Sequence, residues 1–178
     1  MTLRGVVVIT GVMAAGKSTV AQALAERLPR AAHVRGDVFR RMVVSGRADF
    51  TPDASAEATA QLHLRYDLSA ATADAYAAAG FTAIVQDVLV GPELTAYLTR
   101  VRTRPLSVVV LAPSPEAVAR REAGRSKTGY GPAWTITALD AELRRHTQPL
   151  GLWLDTSALS VEQTVAAILG GAERARVA

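Results

Sequence analysis

The sequence predicts an α/β fold in which a five-stranded parallel sheet is flanked by helices on both faces. Three observations carry that expectation. Short apolar runs alternate with helix-period segments along the whole length. The runs are apolar throughout rather than at every second residue, as strands buried on both faces require. Gly, Pro and Ser punctuate them at positions that start and stop helices. With 178 residues, 49% hydrophobic and 20% charged, disordered, fibrous and coiled-coil architectures are excluded. One domain over residues 1–178 is expected.

The first strand is expected at Gly5–Thr10 and is followed by a helix over Lys17–Leu28. A weaker strand at Ala32–Arg35 leads into a short helix at Val38–Val44. The alanine-rich segment Ala54–Ala79 predicts a long helix that Gly80 ends. Thr82–Gln86 is the next strand, and Pro92 opens a helix to Val101 from a first-turn position where its missing N–H costs nothing. Strand Leu106–Leu111 precedes a helix over Pro115–Gly124, with Ser114 as its N-cap. A helix over Ala133–His146, a short strand at Leu152–Leu154 and a Ser160-capped helix over Val161–Leu169 complete the order. Ser45–Asp53 and Gly124–Pro132 are polar stretches bearing Gly and Pro, and read as functional or mobile loops.

The chain has no cysteine, so disulfides, thiolate zinc sites and cysteine nucleophiles are excluded; with three histidines, a His-based metal site is not expected either. No apolar run is long enough to span a bilayer and no cleavage-type flank follows the start, so a soluble cytoplasmic protein is expected, with no membrane partner. The pI near 10.0 leaves a nucleic-acid partner open. It is not favoured, because the excess of +4 is spread among acids and the aromatics, 5% of residues, are scattered. Only two lysines occur, Lys17 and Lys127, and one of them lies in the strongest motif.

That motif is Gly11, Val12, Met13, Ala14, Ala15, Gly16, Lys17 and Ser18, the pattern G-x-x-x-x-G-K-[ST], with Thr19 next in the helix it opens. It follows a strand and begins a helix, the context its chemistry needs. Glycines let successive N–H groups converge on phosphate oxygens, and the helix N-terminus adds its positive dipole end. Lys17 can then reach the β and γ phosphates, and Ser18 offers a hydroxyl to Mg²⁺. Asp87, at the end of the third strand, is the second candidate for holding the metal or substrate. Asp37, just after the second strand, lies on the same sheet edge; it is either a helix cap or the carboxylate that accepts the proton of an attacking hydroxyl. Arg40, one turn on, is a candidate for holding the acceptor, within a helical acceptor region over about residues 38–80. Phe39, Val43, Phe50, Leu62 and Tyr66 are available to make that cleft apolar. His33 and His63 read as packed or solvated residues rather than bases. Arg121 and Arg125, with Arg120 and Lys127 behind them, fall in a segment over about 120–132 that reads as a closing lid bringing cations to the transferred phosphate.

With these residues in order, the chain resembles the small P-loop kinases, and most closely the chloramphenicol phosphotransferase-like family. The likeness rests on the 11–18 motif, on Asp37, on Ile84 to Gly91, on Ala117 to Glu122 with Arg125, and on His146 followed by Leu154 to Ser157. It differs in having Gln86 where that family has an acid, and Arg125 to Thr128 where it has an Arg-Gly-Asp-Arg lid. The resemblance implies use of ATP and Mg²⁺, transfer of the γ-phosphate to a hydroxyl of a small molecule (antibiotic or metabolite), Asp37 as general base, and Asp155, Thr156 and Ser157 near the adenine. Gly36-Asp37 with Arg40 is also similar to the Gly-Asp-x-x-Arg element of nucleotide kinases and the Asp-x-x-Arg of polynucleotide 5′-kinases. Those activities, and a nucleotide-binding switch without a dedicated acceptor, are the alternatives.

Overall fold

The computed structural model describes residues 3–124 and 129–178. Its five parallel strands are β1 (Val6–Gly11), β2 (Ala31–Arg35), β3 (Thr82–Gln86), β4 (Leu106–Leu111) and β5 (Leu152–Leu154), in the order β2-β3-β1-β4-β5. Every residue of β1, β3 and β4 is buried, which is why their sequences are mostly apolar, with Thr10, Thr82, Gln86 and Ser107 as the buried polar exceptions. Parallel pairing on both sides of β1, Val8 against Val85 and Val108, places that strand at the centre.

Helices α1 (Lys17–Arg27) and α7 (Val161–Gly170) pack together on one face of the sheet, and α3 (Ala56–Ala78) with α4 (Pro92–Leu98) on the other. Between them in the chain come α2 (Gly36–Met42), α5 (Pro115–Ala123) and α6 (Ile136–Ala141); α8 (Ala172–Ala175) ends the order and packs on β4 and β5. Ser114 and Ser160 cap α5 and α7 as expected, Ser160 through a capping box with Gln163. Because all strands are parallel, the turns after β1, β2 and β3 open on one edge of the sheet, where ligands of such sheets sit.

The larger departures from the expected elements have identifiable causes. Helix α2 begins at Gly36, so Asp37 lies in its first turn and is not its cap. Helix α4 stops at Leu98 because Asp74 captures the amides of Arg102 and Thr103, at 3.1 and 2.9 Å. Helix α6 starts only at Ile136, capped by Thr135, and its last turn widens to a π turn over Glu142–His146. There Thr147 Oγ1 donates to the Glu142 carbonyl and accepts the amide of Gly91 at 2.6 Å. Helix α8, one turn long, leaves no periodic signal in the sequence.

His33, on edge strand β2, is a packed residue. Its Nδ1 meets Gln22 Oε1 at 3.0 Å, while Nε2 is buried without a partner among the described residues. Burial, aided by Arg35, lowers its pKa from 6.5 to about 4. The folded chain therefore binds this proton less readily than the unfolded chain, and stability is expected to fall as pH drops from 6.5 towards 4. Chemical denaturation across that range checks this: the slope attributable to His33 disappears in His33→Leu.

Candidate active site

The turn after β1 is shaped to receive phosphate. Gly11 has φ +145° and Gly16 φ +93°, and Ala14 holds φ +60°, so the chain reverses without β-carbons crowding its interior. A Cβ on Gly11 would collide with the Leu111 carbonyl oxygen, which excludes any other residue there. Among the described residues no side chain caps α1, so its first amides keep their donors for an incoming anion. Lys17, 8% exposed, donates from Nζ to the Val12 carbonyl at 2.7 Å and is thereby held over the loop. Ser18 and Thr19 are exposed in the first turn of α1.

Arg121 of helix α5 and Tyr130 reach over this turn. Arg121 donates to the carbonyls of Ala15, at 3.2 Å, and Thr156, at 2.5 Å, so one guanidinium joins the phosphate-binding turn to the loop after β5. That loop is itself anchored: Ser157 Oγ accepts the Ser114 amide at 2.7 Å and donates to Asp155 Oδ1 at 2.5 Å. The hydroxyl and amide of Ser157 hold the Asp155 carboxyl below its ordinary pKa. Tyr130 donates its hydroxyl to the Met13 carbonyl at 2.7 Å, and the Gly129 amide donates to Glu122. Arg125 and Lys127 lie outside the described residues.

On the other side of the turn, two acid–arginine groupings line up along the same edge. Asp37, its side chain 50% exposed, meets Arg40 Nε at 3.1 Å and Arg41 Nε at 3.0 Å. Arg40 in turn meets Asp49 at 2.5 Å through its other arm. Asp87 follows β3, which lies between β1 and β2, so it sits between the phosphate-binding turn and Asp37 along the edge. Its side chain is only 3% exposed and both oxygens accept from Arg65, one of them from Nε at 2.7 Å. Burial lowers the pKa of Arg65 from its ordinary value. Space for the Asp87 carboxylate exists because residue 36 is glycine: a Cβ there would collide with Asp87 Oδ2.

Between α2, the 43–55 loop and α3 opens a shallow groove walled by Phe39, Val43, Phe50 and Leu62 with Arg40 and Arg65. Tyr66, expected among these, is instead 1% exposed in the core, edge-on to Tyr97 at 5.5 Å. Gln61 fixes the loop by accepting the Ala48 amide at 2.9 Å and donating to the Gly46 carbonyl at 2.8 Å.

Sequence reasoning missed Arg65, Asp49 and Tyr130. Arg65 had a signal: it is the one charged residue set into the α3 face made by Leu62, Tyr66 and Ser69, all buried. Asp49 and Tyr130 had none, being loop residues whose partners are distant in sequence or set by loop conformation. Among the described residues no group of three or more His, Asp or Glu could hold a metal alone, and no helix is long and apolar enough to cross a membrane.

A central strand, a glycine-shaped turn with a tethered lysine and an uncapped helix on a β2-β3-β1-β4-β5 sheet define a P-loop fold of the kinase type. The chain belongs to the family of P-loop proteins described as AAA domain, whose model matches residues 6–149. No curated protein matches the sequence. Similar solved structures include a sugar kinase from Janibacter sp. HTCC2649, 20% identical over 97% of this chain and 96% of that one, with TM-score 0.72. The tunicamycin resistance protein of Deinococcus radiodurans is 20% identical over 98% and 99%, with TM-score 0.66. The APS kinase of Mycobacterium tuberculosis, solved with AMPPNP and APS, is 16% identical over 97% and 99%, with TM-score 0.67. At these identities the likeness is one of fold.

Proposed function

We propose that this chain is an ATP-dependent phosphotransferase that moves the γ-phosphate of ATP to a hydroxyl of a small molecule. The observation that carries the reading is the position of Asp37: half exposed, on the same sheet edge as the phosphate-binding turn, and joined through Arg40 to an apolar groove. A nucleotide switch has no use for a carboxylate and a groove so placed. The sugar kinase and the APS kinase among the similar folds, and the motif likeness to the chloramphenicol phosphotransferase-like family, support an alcohol of antibiotic or metabolite type as acceptor.

In this reading the amides of residues 11–19 and Lys17 hold the phosphates. Asp37 accepts the proton as the acceptor oxygen attacks the γ-phosphorus and the bond to the ADP oxygen breaks. Arg121 braces the loop bearing Asp155, Thr156 and Ser157 against the phosphate-binding turn, which supports their place beside the nucleoside. The catalytic cation role assigned to Arg121 and Arg125 is part of the proposal, with the 120–132 segment as lid. The exposed Ser18 hydroxyl fits direct ligation of Mg²⁺, whereas Asp87, buried and clamped by Arg65, fits contact through a bound water. When bound, Mg²⁺ would neutralise charge on the β and γ phosphates.

The test is ADP release by the wild-type protein with neutral hydroxylated compounds, nucleoside monophosphates and 5′-hydroxyl oligonucleotides, with mass spectrometry of the products. Phosphorylation of a neutral alcohol is expected. Slow hydrolysis that no acceptor stimulates would overturn the reading in favour of a switch, and transfer to a monophosphate or oligonucleotide would move it to the nucleotide or polynucleotide kinases.

A further inference from the structure

We propose that Asp49 is a specificity-determining residue, an internal counter-ion that occupies Arg40 so that the groove rejects anionic acceptors and takes a neutral hydroxyl compound with an apolar body. The inference rests on reading this groove as the acceptor site.

Two guanidinium groups line the groove, and each already faces a carboxylate of this chain. Arg40 is held from one side by Asp37, at 3.1 Å, and from the other by Asp49, at 2.5 Å. Arg65 is held on both oxygens of Asp87. Burial alone would lower the pKa of Arg40, but hydrogen bonds from it to Asp49 and Asp37 outweigh that and keep the guanidinium above its ordinary value. An incoming phosphate, sulfate or carboxylate would have to displace one of these partners or sit beside it. Either way it gains a pair only by losing one, while its own desolvation and its repulsion by the resident carboxylate are not repaid. A neutral hydroxyl bears neither cost.

Asp49 is not on a freely moving strand of loop. Gln61 grips the backbone at Ala48 and Gly46, one and three residues before it. The next residue, Phe50, is part of the groove wall. The same loop therefore supplies the charge that silences Arg40 and the apolar surface that would hold the body of the acceptor. Its charge is also the exchangeable one: Asp37 is required as base and is shared with Arg41, at 3.0 Å, whereas the second cation beside Asp49, Arg47, stands farther off, at 3.9 Å.

The experiment measures binding of phenyl phosphate and of benzyl alcohol, with ADP saturating the phosphate-binding turn, by calorimetry and by amide shifts in the 43–68 region. Wild type is expected to bind phenyl phosphate weakly. Asp49→Ala should raise that affinity about tenfold, the worth of one newly available charge-assisted contact, and leave benzyl alcohol within about twofold. Asp49→Ala combined with Arg40→Gln should lose the gain, which separates groove binding from anion binding elsewhere. Because the Asp49 side chain is 56% exposed, the fold should survive, and Asp49→Asn provides a second, milder variant. Wild type binding phenyl phosphate as tightly as Asp49→Ala in an Arg40-dependent manner, or no gain in either variant, would overturn the proposal. Binding is read without turnover, so absence of phosphoryl transfer with every acceptor would sink the kinase reading alone, and intact transfer with no anion gain would sink the role of Asp49 alone.

Discussion

Asp37→Asn is expected to lower the rate of phosphoryl transfer by about 10² to 10⁴ while leaving the affinity for ADP unchanged. The amide keeps the size and the hydrogen-bonding reach of the carboxylate but cannot take a proton from the attacking hydroxyl. ADP affinity should hold because the phosphate-binding turn is built from the backbone of residues 11–19 and from Lys17, whose ammonium donates to the Val12 carbonyl. Removing the carboxylate also changes the surroundings of Arg40 and Arg41, so acceptor affinity is measured beside the rate. Single-turnover kinetics at saturating acceptor isolate the chemical step. A variant within threefold of wild type in that step would remove Asp37 as base.

Arg65→Met is expected to destabilise the fold by about 3–5 kcal/mol, the range for stripping one partner from a buried ion pair. Asp87 makes the cost large. Its side chain is 3% exposed and lies against Gly36, where a Cβ would collide with Oδ2, and the amide of Val88, at 2.7 Å, is its only other hydrogen-bonding partner among the described residues. The same reasoning predicts recovery of most of the loss in Arg65→Met combined with Asp87→Asn, because the charge left unpaired by the first change is removed by the second. Urea unfolding of wild type and the two variants measures both values. A loss under about 1 kcal/mol in the single variant would mean that water reaches the carboxylate and replaces the guanidinium.

Residues whose roles follow from near neighbours in the chain are legible in the sequence. The 11–18 motif declares itself because a phosphate-binding turn is a local object: its glycines, lysine and following helix all lie within one loop and one turn. The three inner strands β1, β3 and β4 are legible because a parallel sheet covered on both sides forces their runs to be mostly apolar, whereas edge strand β2, only partly buried, leaves a weaker signal. The caps at Ser114 and Ser160 satisfy amides three residues away, again a local matter. Boundaries depart from expectation where a distant residue intervenes, as when Asp74 takes the amides of Arg102 and Thr103 and ends α4 early.

Sequence alone therefore determined the fold class, the phosphate-binding turn and the sheet edge on which Asp37 lies, since each rests on periodicity or on contacts a few residues long. Only the tertiary structure decided which charges face one another. By sequence Asp87 is open to a metal, but in the fold it is clamped by Arg65, 22 residues away; by sequence Arg40 is free for an acceptor, but in the fold it is shared between Asp37 and Asp49. The reason is physical: the strength and availability of a charge depend on burial and on the distance to its counter-charge, and both are set when α2, α3 and the 43–55 loop pack beside the ends of β2 and β3.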